Sequence, residues 1–385
     1  MVDFRLGDEL TQLRDSVRQF AREQVAPVIA EHYEKETFPY DVIRQMGAMG
    51  LFGLPFPEQY GGMGGDYFAL CVALEELARV DSSVAITLEA AVSLGAMPIF
   101  RYGTEAQRKQ WLPQLVSGEA LAGFGLTEPG SGSDAAAIST RAVLDESTGE
   151  WVINGSKAFI TNSGTDITTL VTVMAATGTN PDGSRELSTI IVPSGTPGFT
   201  VAPGYSKVGW CASDTHELSF DDVRVPAENL LGERGRGFAQ FLRILDEGRI
   251  AIAALSVGLA QGCVDESVTY AKQRIAFGRP IGDNQAVQFL IADMETRAHL
   301  ARLGYYDAAA RMLAGEDFKR HAAIAKLNAS NAAVENSRYA TQVHGGYGFM
   351  NESAVGRFYR DAKILEIGEG TSEVQRMLIA RGLGL

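Results

Sequence analysis

Cysteine is scarce in this chain of 385 residues, and the three present, Cys71, Cys211 and Cys263, stand far apart. No two have metal-ligand spacing, so they read as small core residues. The five histidines are equally scattered and suggest no zinc site. Positive charge is also in short supply. With 34 Lys and Arg against 47 Asp and Glu the net charge is −13, which speaks against a nucleic-acid partner, because neutralising phosphates takes basic surface. A small anionic ligand, needing only a few local donors, remains compatible. Long apolar runs are missing too: the stretch Ile250 to Ala260 falls well short of the ~18 residues of a membrane span. Charges at Asp3, Arg5, Asp8 and Glu9 leave no room for a signal peptide, and there is no Arg-rich leader. A cytoplasmic protein is therefore expected. Internal repeats and low-complexity segments are absent as well.

What is present suits a folded chain of two or three domains, since 45% of residues are apolar and 21% charged. Leu10, Leu13, Val17, Phe20 and Val25 recur on one helical face. Leu70 to Val80 and Val84 to Met97 suit packed helices, and Thr104 with Gln107 forms a capping box for a helix stopping near Gly118. From about Leu121 the pattern becomes that of strands. Trp151 to Ile153 and Lys157 to Ile160 read as a hairpin around an Asn154-Gly155 turn. Leu170–Met174 and Leu187–Val192 flank a turn-rich loop at 180–183, and Leu218, Phe220, Val223 and Val225 alternate with polar residues. Beyond Gly232 the spacing predicts a helix from Phe238 to about Arg274, then Gln285–Ala314, Phe318–Val343 and Ser372–Arg381. The reading is three domains: residues 1–121 helical, 122–231 a β-sheet or barrel, and 232–385 a helical bundle.

Four segments carry candidate chemistry. The loop Leu126-Thr127-Glu128-Pro129-Gly130-Ser131-Gly132-Ser133-Asp134 offers backbone N–H groups and hydroxyls to an anion. It also matches a loose GxGxxA fingerprint, but hairpin signals follow it where a dinucleotide fold needs a crossover helix; alone it reads equally well as a structural turn. Arg274-Ile275-Ala276-Phe277-Gly278-Arg279-Pro280-Ile281, followed by Gln285, suits a phosphate or an adenine ring, or a solvated basic turn. Gln342-Val343-His344-Gly345-Gly346-Tyr347-Gly348 can be a ligand segment or simply a helix stop. In Glu369-Gly370-Thr371-Ser372-Glu373, a hydroxyl can cap the last helix, which puts Glu369 just before a helix N-terminus, and Gly370 lets a ligand come close. Such a glutamate can equally be a surface residue.

In this order and spacing, LTEPGSGSD, FITN, RIAFGRPIGDNQ, QVHGG and EGTSE resemble the acyl-CoA dehydrogenase family, and the likeness runs from about Leu10 to Arg381. The resemblance implies an N-terminal helical domain, a middle β domain and a C-terminal four-helix bundle, with FAD between the latter two and its adenosine side shared across a subunit interface of a homotetramer. It implies that Phe124, Leu126, Thr127, Gly132 and Ser133 line the flavin, Ser133 being close to cofactor or substrate. Phe159, Ile160 and Thr161 would lie against the isoalloxazine, where many relatives have Trp at position 159. Arg274, Phe277, Gln285, Gln342, Gly345 and Gly346 would hold the pyrophosphate and adenosine, with Thr371 and Glu373 closing over the cofactor. Asp246 and Arg249 would meet the CoA portion, Gly370 the substrate, and Glu89 the far end of the acyl pocket.

By the same resemblance Glu369 is the base that takes the α-proton of an acyl-CoA while the β-hydride passes to the flavin, and an electron-transfer flavoprotein is the expected acceptor. Some relatives place the base just before the residue matching Arg249. Here that position is Gly248, and the adjacent Glu247 points about 100° away around a helix. The segment from Asp81 to Gly95 has no Lys or Arg, which disfavours a dicarboxylic acyl group and leaves short, medium or branched acyl chains. Rival readings are an oxygen-reactive flavoenzyme on the same scaffold, a non-catalytic protein that binds CoA esters or serves assembly, and an NAD-linked enzyme.

Overall fold

The computed structural model describes residues 5–385. Seven helices come first: α1 (Asp8–Phe20), α2 (Ala26–Glu34), α3 (Tyr40–Ala48), α4 (Tyr67–Ala78), α5 (Ser82–Glu89), α6 (Met97–Tyr102) and α7 (Glu105–Val116). The apolar face read from the sequence is the buried one, with Val17, Phe20 and Val25 in the core. Thr104 and Gln107 form the expected capping box at the start of α7. A π-helical stretch, Ala90–Ala96, joins α5 to α6, and Glu89 is the last residue before this widening. Such local π geometry recurs at functional sites.

The middle of the chain is a sheet of β1 (Leu121–Gly125), β2 (Arg141–Asp145), β3 (Glu150–Thr161), β4 (Thr168–Thr179), β5 (Arg185–Pro193), β6 (Phe199–Val201), β7 (Thr215–Pro226) and β8 (Leu230–Leu231). Its order is β6-β7-β3-β2-β4-β5-β8, with β1 parallel to β4. One expectation fails here: Asn154-Gly155 is no hairpin turn. Strand β3 continues through it against β7, with a register shift at Gly155. The reason is local. Asn154 spends its amide on Asp222, donating from Nδ2 and accepting from the Asp222 N–H, both at 2.9 Å. A Cβ on Gly155 would come within 2.6 Å of Thr140 Oγ1. The Asn-Gly pair therefore makes a bulge, which has the same appetite for glycine as a tight turn.

The last part is helical. Helix α8 (Gly237–Gln273) leads to the two-residue strands β9 (Ile275–Ala276) and β10 (Arg279–Pro280), then α9 (Gln285–Leu313), α10 (Lys319–His344), α11 (Ala354–Ala362) and α12 (Ser372–Gly382). Helix α11 was not anticipated. Helix α8 is buried almost without interruption from Asp246 to Val264, as a helix surrounded by others must be. It and the rod Ser82–Tyr102 are long and apolar enough to span a membrane, but 89% of each apolar window is buried inside the protein. Both are core helices.

One buried polar centre fixes how these layers meet, and a second pins a loop within the sheet. Asp361 on α11 accepts from Tyr33 Oη at 2.6 Å, Ser82 Oγ at 2.7 Å and the Trp210 N–H at 2.7 Å, so one carboxylate joins α2, α5 and the loop before β7. Its neighbour Asp81 caps α5 through the N–H groups of Ser83 and Val84, with Arg357 Nε 3.8 Å away. Burial, together with the Asp361 charge and only partly offset by Arg357, pushes Asp81 up to about 7. In the second centre Lys157 of β3, with no exposed surface, donates to Leu126 O at 3.1 Å and Glu128 Oε1 at 2.8 Å. Glu128 also accepts from Ser139 N, Ser139 Oγ and Thr140 N. Burial opposes its charge, but these bonds prevail and bring Glu128 down to about 2. Burial outweighs the partner at Lys157, which falls to about 8. Both remain ionised at neutral pH.

Asp81 in the folded chain holds a proton that an unfolded aspartate, titrating near ~3.9, gives up. That contribution to stability is complete below the unfolded value and is lost as pH rises through about 7. Asp81→Asn keeps a capping oxygen without the charge, so its melting temperature should fall less than the parent's between mildly acidic and mildly alkaline buffer. Equal slopes in calorimetry would contradict the assignment. Lys157→Met strands the Glu128 charge and should cost about 3–5 kcal/mol in denaturant unfolding. Adding Glu128→Leu should recover much of the loss.

Candidate active site

Glu369 lies in a tight turn between α11 and α12. Its φ is 51° and that of Gly370 is 94°, and Thr371 Oγ1 caps α12 by accepting from Val374 N at 3.3 Å. The left-handed backbone, unfavourable for a glutamate by about 1–3 kcal/mol, turns the side chain inward. The Glu369 backbone is partly exposed, whereas both carboxylate oxygens are shut from solvent and have no hydrogen-bond partner. A Cβ at Gly248 of α8 would stand 2.4 Å from Oε2, so the carboxyl occupies space that only glycine leaves free.

The carboxyl of Glu89, also fully buried and without a donor, faces it. Burial, then the Glu369 charge, drives Glu89 well above the usual carboxylate range. Burial raises Glu369 as well, while the adjoining Glu89 carboxyl and the charges of Lys326 and Arg249 restrain it. Two carboxyls buried face to face resist carrying charge together, so they titrate as a pair, both above the ordinary carboxylate range. Glu247, the alternative, is committed elsewhere: it accepts from Arg101 at 3.0 Å and lies 3.5 Å from Arg243 Nε.

Around this pair, Asp246 and Arg249 form a buried ion pair on α8. Arg249 Nε is left without a partner, a donor available to a ligand. The loop after β1 is anchored by Glu128 and Lys157 and by Ala158 N donating to Thr127 O at 2.9 Å. Thr127 and Leu126 are half-buried, and Gly132 and Ser133 are exposed. Phe124 is buried and stacks on Phe241 at 3.9 Å. On β3, Ile160 belongs to the sheet core and Thr161 is half-buried. Phe159 is 65% exposed, with φ of 61° and its ring 5.2 Å from Tyr205. Just beyond, Asn162 Nδ2 donates to Thr87 O at 3.0 Å, tying this strand to α5 two residues before Glu89.

A second cluster lies at the far end of α8. A cavity of about 490 Å³ is lined by Tyr270, Arg274, Ile281, Gly345, Gly346 and Tyr347, among others. Arg274 lies over the Tyr347 ring at 5.8 Å, and Tyr270 stacks on His344 at 4.3 Å. Phe277, with φ of 51°, is wholly exposed between β9 and β10. Gln285, Gln342 and Glu373 are exposed, and Thr371 is half-buried. Arg274 follows Gly248 by 26 residues along α8, roughly 39 Å at ~1.5 Å per residue. One chain therefore does not bring the Arg274 cluster to Glu369.

The residues suit a flavin dinucleotide on three observations. Side chains added at Gly130, Gly132, Gly345 or Gly346 would meet nothing within 4 Å, so these loops border open space. Phe159 presents an aromatic face without cover. Arg274 brings a guanidinium to the cavity. Tyr270, Tyr205, Lys326 and Gln375 were missed from sequence; Tyr270 lay one turn before Arg274, within reach of a search by helical spacing, while Tyr347 stood in the segment around the Gly-Gly pair without a role of its own.

Comparison with known proteins accounts for the three-part order. Models of the acyl-CoA dehydrogenase N-terminal, middle and C-terminal domains match residues 7–119, 123–223 and 235–384. The chain is 48% identical to YngJ of Bacillus subtilis strain 168, described as a probable acyl-CoA dehydrogenase, over 99% of this chain and 100% of that protein. Its structure matches butyryl-CoA dehydrogenase from Megasphaera elsdenii at a TM-score of 0.95 and 41% identity, covering 100% of both chains. It also matches a chain solved in work on the electron transferring flavoprotein of Acidaminococcus fermentans and flavin-based electron bifurcation, with a TM-score of 0.94, 40% identity and 99% coverage of each. Three domain models matched in order and sequence likeness along nearly the whole length lead to one conclusion: the chain belongs to the acyl-CoA dehydrogenase family of flavoprotein oxidoreductases.

Proposed function

We propose that this protein desaturates a short-, medium- or branched-chain acyl-CoA between Cα and Cβ, with Glu369 as the base. The observation that carries this is the Glu369 carboxyl, sealed from water, set in the space that Gly248 leaves free and raised above an ordinary glutamate. An ordinary carboxylate near ~4.3 is too weak a base for an acyl α-proton; burial strengthens it, and hydrogen bonds to the thioester carbonyl stabilise the charge that develops. The family's donors for that carbonyl include the backbone N–H matching Glu369. FAD, when bound, supplies the acceptor for the β-hydride.

The chain's own residues divide the remaining tasks. Thr127, Gly132, Ser133, Phe159 and Thr161 would border the flavin ring. Phe124, Leu126 and Ile160, more deeply placed, would support them. Arg274, Phe277, Gln285, Gln342, Gly345 and Gly346 would serve the pyrophosphate and adenosine of a cofactor shared with another copy, since they lie too far along α8 to serve their own Glu369. Thr371 and Glu373 would close the site. Asp246 and Arg249 would meet the CoA portion, the free Arg249 Nε being suited to an acceptor, with Gly370 beside the thioester. Glu89, kept neutral, would present no charge to the acyl chain, and no Lys or Arg between Asp81 and Gly95 is available for a second carboxylate. A homotetramer with an electron-transfer flavoprotein as acceptor completes the reading; the similarity to a chain from work on such a flavoprotein supports it.

Glu369→Gln should keep the flavin spectrum and acyl-CoA binding but lose turnover by at least ~10³-fold; near-normal turnover would sink the reading. Anaerobic titration with a panel of acyl-CoAs should bleach the flavin, with slow reoxidation in air. Rapid reoxidation would favour the oxygen-reactive alternative instead. Gly248→Ala should displace the carboxyl and lower kcat by about 10²-fold, and an unchanged kcat would show that Glu369 acts from another position.

A further inference from the structure

Two buried side chains converge on one carbonyl oxygen that takes no part in the reaction as proposed. Lys326 of α10, with no exposed surface, places Nζ 2.8 Å from Gly370 O. Gln375 of α12, equally buried, donates to the same oxygen at 2.8 Å and reaches Glu369 O at 3.4 Å. This carbonyl closes the left-handed pair Glu369-Gly370. A left-handed glutamate persists only where its surroundings over-determine it, and these are the side-chain donors on its backbone carbonyls among the described residues.

We propose that Lys326 is a positioning residue for the base: with the Gln375 amide it clamps the Gly370 carbonyl and so fixes the turn that swings the Glu369 carboxyl into the pocket. This rests on the reading of Glu369 as the base. A buried ammonium is costly unless compensated, and here burial lowers Lys326 to about 8, against the attraction of Glu369, Glu366 and Glu373 and with the repulsion of Arg249. Its charge therefore also acts on the base. The groups facing Glu369 are Glu89 from α5, Arg249 from α8 and Lys326 from α10, while Ser93 and Tyr67 lie behind Glu89. Removing the ammonium leaves Arg249 as the cation opposing burial, so the Glu369 carboxyl must titrate at higher pH. Gln375 is neutral and shares only the clamping.

The test compares Lys326→Met, Gln375→Met and Glu369→Gln as flavin-loaded enzymes, with butyryl-CoA and a dye acceptor, and flavin absorbance as the check on folding. Lys326→Met should lower kcat by about 10- to 100-fold, change KM by less than about threefold, and move the acid limb of the kcat profile up by about one pH unit. Gln375→Met should lower kcat and leave the acid limb in place. Full kcat in either variant, or an unmoved acid limb in Lys326→Met, overturns the proposal. If Lys326→Met does not hold flavin, Gln375→Met decides alone, and parental kcat there overturns the clamp. An active Glu369→Gln instead removes the underlying reading, whereas an inactive Glu369→Gln beside a normal Lys326→Met removes only the clamp.

Discussion

The structure turns on a carboxyl shut away from water with no donor to satisfy it. An isolated buried carboxylate is too costly to persist, and the fold meets that cost by facing it with a second carboxyl, so that both are raised above the ordinary carboxylate range. Four helices contribute. Helix α5 brings Glu89, α8 removes a side chain at Gly248, α10 brings Lys326, and α12 supplies Gln375. Each is needed because the glutamate backbone is strained and its side chain unpaired, two states that no local sequence preference would hold.

The β domain shares one apolar core with the helices, and directional polar bonds set its register on this pair. Apolar faces tolerate sliding, since burial is non-directional; bonds of 2.6 to 2.7 Å do not. Asp361 gathers Tyr33, Ser82 and the Trp210 backbone, and Trp210 Nε1 reaches Ser82 again at 3.0 Å. Asn162 joins the end of β3 to α5 beside Glu89. The exposed Phe159 face is thus held at a fixed distance from the carboxyls, a requirement of any reaction that must keep two carbons between a base and a ring. Glu128 and Lys157 do the same for the loop at 126–134.

Much of this was legible in the sequence. Helical periodicity located α1 and α8 because one face of the first is buried and the whole middle of the second is. The capping box announced α7 because its chemistry is contained within four residues. Asn154-Gly155 misled because a turn and a bulge demand the same backbone freedom, and only the distant Asp222 and Thr140 decide between them. The short α11 escaped because its place depends on Asp361 meeting partners up to 328 residues away. The Glu369 segment stood out by its own composition. Lys326 and Gln375 did not, since a lysine on a helix and a glutamine after a cap look like solvated residues until packing buries them.

Helix α8 gives the arrangement its scale. It passes Gly248 beside Glu369 and ends at Arg274 beside the second cavity, and as an unbroken helix it sets that span rigidly. Phe277, Ile275, Tyr347 and Phe349 all stand exposed near the far end. A cofactor shared between copies, as proposed, would cover such surface and join one chain's Arg274 end to another's Glu369 end. Catalytic geometry would then depend on assembly: a substitution that weakened contact at Phe277 would loosen the cofactor beside the partner's base while leaving its own carboxyl pair intact.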